Sequence, residues 1–318
     1  MSILVVGSVA FDTLTTPAGQ REKILGGAAT HFSLAASFFT PVRVVGVVGT
    51  DFTAEHEDVM RKKGIDTTGI EHADGLSFHW TGSYEGAMSE AKTLGTDLNV
   101  FGTFAPKIPA SYADSDYLFL ANIDPVLQLQ VRQQLPNVTL VAGDTMNYWI
   151  NNHRDNLLKV LRELDILIIN DGEARLLSGE HNLVTAANKV MELGPKSPII
   201  KHGEYGATAF FSERSFTDEQ GTPKPFRAPA LPIETVVDPT GAGDSFAGGF
   251  YGYIASQPKL TPAVLRKALF YGGVMGSFAV EAFGTERLQR TTREEIEARF
   301  NLFVEISHLN AELAPEAK

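Results

Sequence analysis

A carboxylate set among glycines is the feature of this sequence with the clearest chemical meaning. Residues 238–246 read Asp-Pro-Thr-Gly-Ala-Gly-Asp-Ser-Phe, between a β-prone triplet and a stretch of helical character. Gly241 and Gly243 remove side chains from the turn, so the backbone N–H groups around Ala242 can converge at a helix start and bind an anion. A carboxylate at Asp244 is costly beside an anion unless it acts as a general base. The segment predicts phosphoryl transfer, although Gly-x-Gly-Asp alone also describes a capped helix N-terminus.

The elements around this segment alternate between short apolar runs and helix-prone stretches. Ile3–Val6 and Val42–Val48 predict buried strands, whereas residues 28–39 and 54–63 predict helices. The alternation resumes at residue 117 and ends in three helical stretches, near 243–256, 262–282 and 292–309. Such a pattern predicts an α/β fold with a parallel sheet.

Two glycine-punctuated segments interrupt that pattern. Residues 75–104 alternate partly between apolar and polar side chains, which predicts two or three strands exposed on one face, and residues 13–24 predict another strand. We therefore expect a core of residues 1–12, 25–74 and 104–318, with a β-sheet lid formed by residues 13–24 and 75–103. The polar segment 212–229 predicts a loop with a short hairpin, and the tail from residue 311 is expected to fray.

The composition narrows the function classes. The 318 residues carry a net charge of −11, which disfavours nucleic acid and anionic membranes as partners. The chain has no cysteine, so disulfides and thiolate chemistry are excluded. No apolar run is long enough to span a bilayer, and the apolar start lacks a basic leader. We expect a soluble, cytoplasmic protein.

The nine residues 238–246 resemble the second signature of the ribokinase-like (PfkB) family of carbohydrate and nucleoside kinases, and other segments resemble family elements in the same chain order. The resemblance implies a three-layer fold with a mostly parallel central sheet and a small inserted β-sheet lid. It implies ATP-dependent phosphorylation of a hydroxyl of a small sugar, with a nucleoside as the alternative acceptor. Asp244 is then the general base, and the amides from Gly241 to Asp244 form the anion hole.

Asn170 and Glu173 resemble the Asn-x-x-Glu element of that family, which helps to organise hydrated Mg²⁺ near the phosphates. An amide and a carboxylate three residues apart can share one helix face, and Mg²⁺ usually keeps several waters. The alternative is a capping box, in which the two residues cap the start of a helix. The two roles are compatible.

The acceptor site is implied by the N-terminal part of the chain. Gly26 and Gly27 resemble the family's first signature, a turn that opens a helix near the acceptor, and His31 stands where many sugar kinases have Asn. His31 either contacts substrate hydroxyls or packs within the helix. Asp12 falls where the family's first strand ends in an acidic residue that binds two hydroxyls. Asp124 either lines the pocket or caps a helix before Pro125. Further candidates are Asn122 in that strand-end segment, and Asp144 and Asn147 near the phosphates.

The segment from Lys201 to Gly206 resembles the one that lies along the nucleotide. Gly203 and Gly206 would allow close approach, and Lys201 either meets a phosphate or is an ordinary surface lysine. The resemblance also implies a K⁺ site beside the anion hole, formed by Asp238, the carbonyl of Thr240 and a loop at about 279–286.

The aromatic segment Phe78-His79-Trp80 lies in the predicted lid. These side chains either stack on a ligand, join the lid to the core or contribute to a homodimer through the lid. A non-catalytic sugar or nucleotide sensor is a second class of function, which the presence of Asp244, Asn170 and Glu173 disfavours. A nicotinamide-dependent oxidoreductase is disfavoured because the fingerprint G-x-G-x-x-G is missing after the first strand, and a P-loop kinase is disfavoured because no P-loop string occurs.

Overall fold

The chain folds into two β-sheets and surrounding helices, in a computed structural model that describes residues 1–211 and 225–307. The strands of these ranges are β1 (Ile3–Val6), β2 (Ala10–Thr16), β3 (Gly19–Gly26), β4 (Val42–Val48), β5 (Asp66–His72), β6 (Phe78–Ser83), β7 (Lys92–Asp97), β8 (Tyr117–Leu120), β9 (Leu140–Gly143), β10 (Ile166–Asn170), β11 (Ser197–Lys201), β12 (Ala207–Ala209) and β13 (Phe226–Ala228). The helices are α1 (Ala28–Ala36), α2 (Ala54–Arg61), α3 (Pro125–Gln134), α4 (Asn147–Asn152), α5 (Arg154–Leu161), α6 (Asp171–Ser178), α7 (Leu183–Leu193), α8 (Ala242–Ala255), α9 (Pro262–Ala279), α10 (Glu286–Arg290) and α11 (Arg293–Ser307). Short 3-10 turns span Asn99–Thr103, Ala110–Tyr112 and Gly203–Tyr205.

The larger sheet is parallel except at one edge. Within the described ranges it has nine strands, in the order β13-β12-β11-β10-β9-β8-β1-β4-β5. The pairs from β11 to β5 are parallel, whereas β12 is antiparallel to both β11 and β13. All four residues of β1 are 0 % exposed, which explains why this strand is a continuous apolar run instead of an alternating one.

Helices cover both faces of the larger sheet. Ile3 and Val5 point into one core, shared with residues of α1, α2, α8, α9 and α11. Leu4 and Val6 point into the other core, shared with residues of α3, α4, α5, α6 and α7. Successive side chains of a strand face opposite sides of a sheet, so the two cores make a three-layer structure and confirm the predicted architecture.

The smaller sheet has the order β3-β2-β6-β7 in the described residues. Its central strands β2 and β6 run parallel, and each is antiparallel to its outer neighbour. Phe78 of β6 stacks on Phe101 with ring centroids 5.1 Å apart, and Phe101 stacks on Phe104 at 5.8 Å. Because Phe104 belongs to the core on one face of the larger sheet, this stack joins the two sheets and accounts for the aromatic residue Phe78.

Several elements differ from the expectation. Residues 13–24 were predicted as one strand, but the chain turns at Pro17 and Ala18, so β2 and β3 form a hairpin over 10–26. Strand β5 was not predicted, since its sequence DTTGIEH is mostly polar and only its pairing with β4 makes it a strand. The predicted helix over 152–163 is divided at His153, whose backbone leaves the helical region. The triplet 235–237 forms no strand, although Val237 donates to the carbonyl of Val280.

In the described residues, no helix combines the length and apolar character that crossing a membrane requires. The predicted hairpin at 212–229 falls largely outside the described residues, and only β13 belongs to them. The predicted fraying of the tail from residue 311 also falls outside them.

Candidate active site

The start of α8 contains the glycine-rich segment. Gly241 adopts a left-handed conformation, with φ of +72°, and Asp244 lies in the first helical turn. A Cβ atom on Gly243 would lie 2.8 Å from Nζ of Lys201, so the lysine ammonium sits directly over this glycine. The Lys201 ammonium therefore lies beside the N-terminal end of a helix, and the two together are suited to binding an anion.

His31 closes one side of that surface. A Cβ atom on Gly241 would come closer than 3.0 Å to three atoms of the His31 ring, so the imidazole packs against the glycine backbone. The ring is 1 % exposed, and neither of its nitrogens has a hydrogen-bond partner among the described residues. Burial lowers the pKa of His31 to about 4, so the imidazole is neutral near pH 7. His31 therefore offers one donor and one acceptor beside the anion surface.

Close packing of α1 against α8 brings His31 to this position. A Cβ atom on Gly248 or Gly252 would come within about 3 Å of the α1 backbone, at Phe32 and Ala36 respectively. The two glycines therefore let the helices approach each other. Because Gly248 and Gly252 are four residues apart on one face of α8, α1 packs along that face, and its N-terminal end lies beside Gly241.

Asp12 lies in strand β2 of the smaller sheet and not at the end of the first strand as the resemblance implied, because the chain turns after Val6 and pairs with β3 and β6. Its carboxylate covers Gly26, where any Cβ atom would collide with it, and accepts the N–H of Gly27. Gly27 has φ of +94° and would collide with the carbonyl of Ser8 if it carried a Cβ atom. Both glycines therefore make room for Asp12 and the turn into α1.

The side chain of Asp12 is 4 % exposed and lies among other carboxylates. Burial, together with the charges of Asp238 and Asp244, raises its pKa to about 8, against the opposing effect of the Gly27 N–H. The three carboxylates therefore share one region, in which a ligand hydroxyl or a cation would relieve their repulsion.

Asp238 organises the backbone beside this region. The side chain is fully buried, and its two oxygens accept from the backbone N–H of Thr240 at 2.9 Å and of Gly284 at 2.8 Å. Burial raises its pKa, and these hydrogen bonds oppose the rise. Asp238 thus joins the turn before α8 to the loop after α9, the two segments in which a K⁺ site was predicted.

A second group of carboxylates surrounds Lys201. Burial raises the pKa of Asp244, Glu173 and Asp144, and the charge of Lys201 opposes the rise in all three. One oxygen of Asp144 is buried without a hydrogen-bond partner in the described part of the chain. Lys201 ends β11, Asp144 follows β9 and Glu173 follows β10, so these groups meet at the carboxyl edge of the parallel sheet, where open α/β sheets bind ligands.

Asn170 and Glu173 form the capping box that the sequence allowed as an alternative. The N–H of Asn170 donates to Glu173 at 2.8 Å, and the N–H of Glu173 donates to the Asn170 side chain at 2.7 Å. Carboxylate and amide oxygens are the ligands that Mg²⁺ prefers, and the capping box engages the single side-chain oxygen of Asn170 and one of the two carboxylate oxygens of Glu173. The pair therefore fits a hydrated ion better than one bound directly by both residues.

Asp124 is the residue that caps the start of α3. Its side chain caps α3 by accepting the N–H of Val126 at 2.8 Å, which is the alternative that the sequence allowed. Asn122 accepts from the indole N–H of Trp149 at 2.8 Å, and Asn147 is exposed at the first position of α4. In the described ranges, no hydrogen bond links any of these three to Asp12 or Asp244.

The turn after β11 contains Gly203 and Gly206, both with positive φ, at +55° and +97°. His202 donates its N–H to the carbonyl of Gly206 at 2.8 Å, which closes the turn between β11 and β12. A Cβ atom on Gly203 would meet open space, whereas one on Gly206 would collide with the backbone at Ala228. Gly203 is therefore the glycine of this turn that leaves the surface accessible to a ligand.

Tyr84 is a residue of this region that the sequence did not single out. It follows β6 in the smaller sheet, and its hydroxyl oxygen accepts from the hydroxyl of Thr240 at 3.2 Å, next to Gly241. The charges of Asp12, Asp238 and Asp244 all act on it. A partner 156 positions away has no local signal, so only the tertiary structure brings Tyr84 here.

The chain is similar to kinases over nearly its whole length. The pattern described as pfkB family carbohydrate kinase matches residues 2–292. A cytidine kinase of Thermococcus kodakarensis is 30 % identical over 266 residues, which cover 81 % of this chain and 90 % of that protein.

Two solved structures share the fold. A nucleoside kinase of Burkholderia thailandensis in complex with inosine has a TM-score of 0.71 and 20 % identity, covering 95 % of this chain and 99 % of its own. An E. coli protein assigned as a ribokinase II, in complex with ATP and Mg²⁺, has a TM-score of 0.74 and 20 % identity. The match covers 95 % of this chain and 99 % of that protein. The ribokinase-like fold is thereby confirmed, and the family match extends over most of the chain. The chain belongs to the pfkB family of carbohydrate kinases.

Proposed function

We propose that this kinase transfers the γ-phosphoryl group of ATP to a hydroxyl of a nucleoside. The phosphoryl transfer is supported by the position of Asp244 at the start of α8. Asp244 lies beside the Gly241–Gly243 backbone, and the charge of Lys201 acts on its carboxylate. The similarity to a cytidine kinase over 81 % of this chain supports the nucleoside acceptor. A small sugar, which the sequence favoured, is the second candidate.

The acceptor is proposed to lie between the smaller sheet and the start of α1. Asp12 would accept hydrogen bonds from two acceptor hydroxyls, and the turn at Gly26 and Gly27 would bound the site. His31 would use one of its unpartnered nitrogens on the acceptor or on the transferred group. Binding there supplies the partners that these buried polar atoms lack in the protein alone.

The transfer step follows from the position of Asp244. Its carboxylate takes the proton of the attacking hydroxyl, whose oxygen forms the new bond to phosphorus while the bond to the leaving oxygen of ADP breaks. The amides from Gly241 to Gly243 and the Lys201 ammonium stabilise charge on the phosphoryl oxygens. Mg²⁺, held through water by Asn170 and Glu173, would neutralise phosphate charge when bound.

The nucleotide is proposed to extend along the turn after β11, where Gly203 leaves the surface open and Lys201 faces the phosphates. Four further expectations remain predictions from the sequence. They are the K⁺ site at Asp238 and Thr240, the contribution of Asp124 to the acceptor pocket, a homodimer through the smaller sheet and a cytoplasmic location.

The test is ADP release from Mg-ATP with cytidine, other nucleosides and ribose as acceptors, for the wild type and Asp244→Asn. We expect turnover with a nucleoside, and a loss of roughly 10²–10⁴ in kcat for Asp244→Asn with the fold intact. Asp114→Asn is the matched control, because Asp114 is an exposed carboxylate paired with Arg43. Near-wild-type kcat in Asp244→Asn would remove the base assignment. Calorimetric nucleoside binding without turnover would favour the sensor class.

A further inference from the structure

The hydroxyl pair Tyr84–Thr240 joins the smaller sheet to the turn that begins α8. The backbone N–H of Tyr84 donates to the carbonyl of Thr15 at 2.9 Å, which extends the pairing of β2 with β6 by one residue. The main chain of Tyr84 is therefore fixed by the smaller sheet. At the other end of the contact, Thr240 immediately precedes the left-handed Gly241.

The same sheet touches both segments that Asp238 holds together. The Thr16 hydroxyl donates to the carbonyl of Val237 at 2.8 Å, on the side of the turn. The Arg21 guanidinium lies 4.8 Å from the ring centroid of Phe283, next to the Gly284 amide that binds Asp238. The contact at Thr240 is thus part of a continuous boundary between the smaller sheet and the anion-binding turn.

The phenol keeps its proton in this environment. Burial raises the pKa of Tyr84 to about 12, and the charges of Asp238, Asp12 and Asp244 act in the same direction, while the Thr240 hydrogen bond opposes them. The pair is therefore a contact between two neutral hydroxyls that titration near neutral pH does not break.

We propose that Tyr84 is a positioning residue, which acts through Thr240 to hold the anion-binding turn in shape when the smaller sheet lies over the site. The inference rests on the proposed function. As a consequence, the smaller sheet would cover the acceptor at the same time as the Tyr84–Thr240 contact fixes the backbone around Gly241. Phosphoryl transfer would then be disfavoured whenever the smaller sheet is displaced and water can enter.

The kinetic test is a double-mutant cycle of Tyr84→Phe and Thr240→Val, measured by ADP release with the best acceptor. Each single variant is expected to lose roughly tenfold to hundredfold in kcat, since small displacements of reacting groups cost that much. The KM for ATP should change little, and the double variant should be no worse than the poorer single variant. Tyr112→Phe, which removes a phenol hydrogen-bonded to Asp66 at 2.7 Å, should keep wild-type kcat.

Hydrogen exchange supplies a readout besides activity. In Tyr84→Phe, peptides that cover residues 237–245 should exchange faster than in the wild type, while global unfolding is unchanged. Wild-type kcat in Tyr84→Phe, additive losses in the cycle, or unchanged exchange at 237–245 would each overturn the proposal. If the wild type turned over no acceptor, the proposed function would fail, and the exchange result would still decide whether Tyr84 fixes the turn.

Discussion

The imidazole of His31 packs against the backbone of Gly241, although 210 residues separate the two in the chain. The left-handed φ of +72° and the adjacent ring both exclude a side chain at Gly241. The turn that begins α8 is therefore shaped from outside by α1 as well as by its own glycines.

Gly241→Ala should be far more damaging than Gly243→Ala. Alanine at position 241 must adopt a strained backbone and displace the His31 ring, whereas at 243 it meets only the mobile end of Lys201, at 2.8 Å. We expect Gly241→Ala to lower the free energy of unfolding by roughly 1–3 kcal/mol and to lose most activity. Urea unfolding and ADP release check this, and equal stability losses in the two variants would contradict it.

Lys201→Met should move the acid limb of kcat/KM to higher pH. As the proposed general base, Asp244 must be deprotonated to act, so the rate is expected to fall when the pH drops below the pKa of Asp244. Burial raises this pKa and Lys201 opposes the rise, so losing the ammonium raises it further. Lys201→Arg, which keeps the charge, should leave the limb near its wild-type position. A limb that stays unchanged in Lys201→Met would show that Lys201 does not act on Asp244.

Asp12→Asn should change how the stability of the ligand-free protein depends on pH. The pKa of Asp12 rises from 3.8 to about 8 on folding, so the folded state binds the extra proton between these values. Its contribution to stability is fully present below about pH 4 and is lost as the pH rises through about 8, with a slope of at most about 1.4 kcal/mol per pH unit. Asp12→Asn should flatten the pH dependence of Tm across this window. An unchanged profile would mean that Asp12 ionises normally.

Phe101→Ala should loosen the smaller sheet from the core. Phe101 stacks between Phe78 and Phe104, so its removal opens the aromatic stack that joins β6 to the core. We expect a loss of roughly 1–3 kcal/mol in the free energy of unfolding, and faster hydrogen exchange in β6. Leu94→Ala is the control, because Leu94 is 57 % exposed on the same sheet and should change neither quantity.

Local patterns were sufficient for much of the fold. The apolar runs at β1 and β4 and the glycine-rich start of α8 were predicted within a residue or two, because burial on both faces and a left-handed turn each leave a local mark on composition. Strand β5 was missed, since its residues are mostly polar and only its pairing with β4 makes it a strand. The β2–β3 hairpin was misjudged as one strand although its strands pair across a short local turn, and the pairing of β2 with the distant β6 was not predicted.

The sequence by itself determined the family and the segment that contains Asp244, because a turn without side chains before a carboxylate is a contiguous chemical unit. It also contained Asp12, Asp144, Glu173 and Lys201 as separate candidates. The tertiary structure decided that one lysine acts on three carboxylates, that His31 adjoins Gly241, and that Tyr84 reaches Thr240. Charge interactions and packing depend on distance in space, and that distance is set only when strands from remote parts of the chain pair and α1 packs on α8.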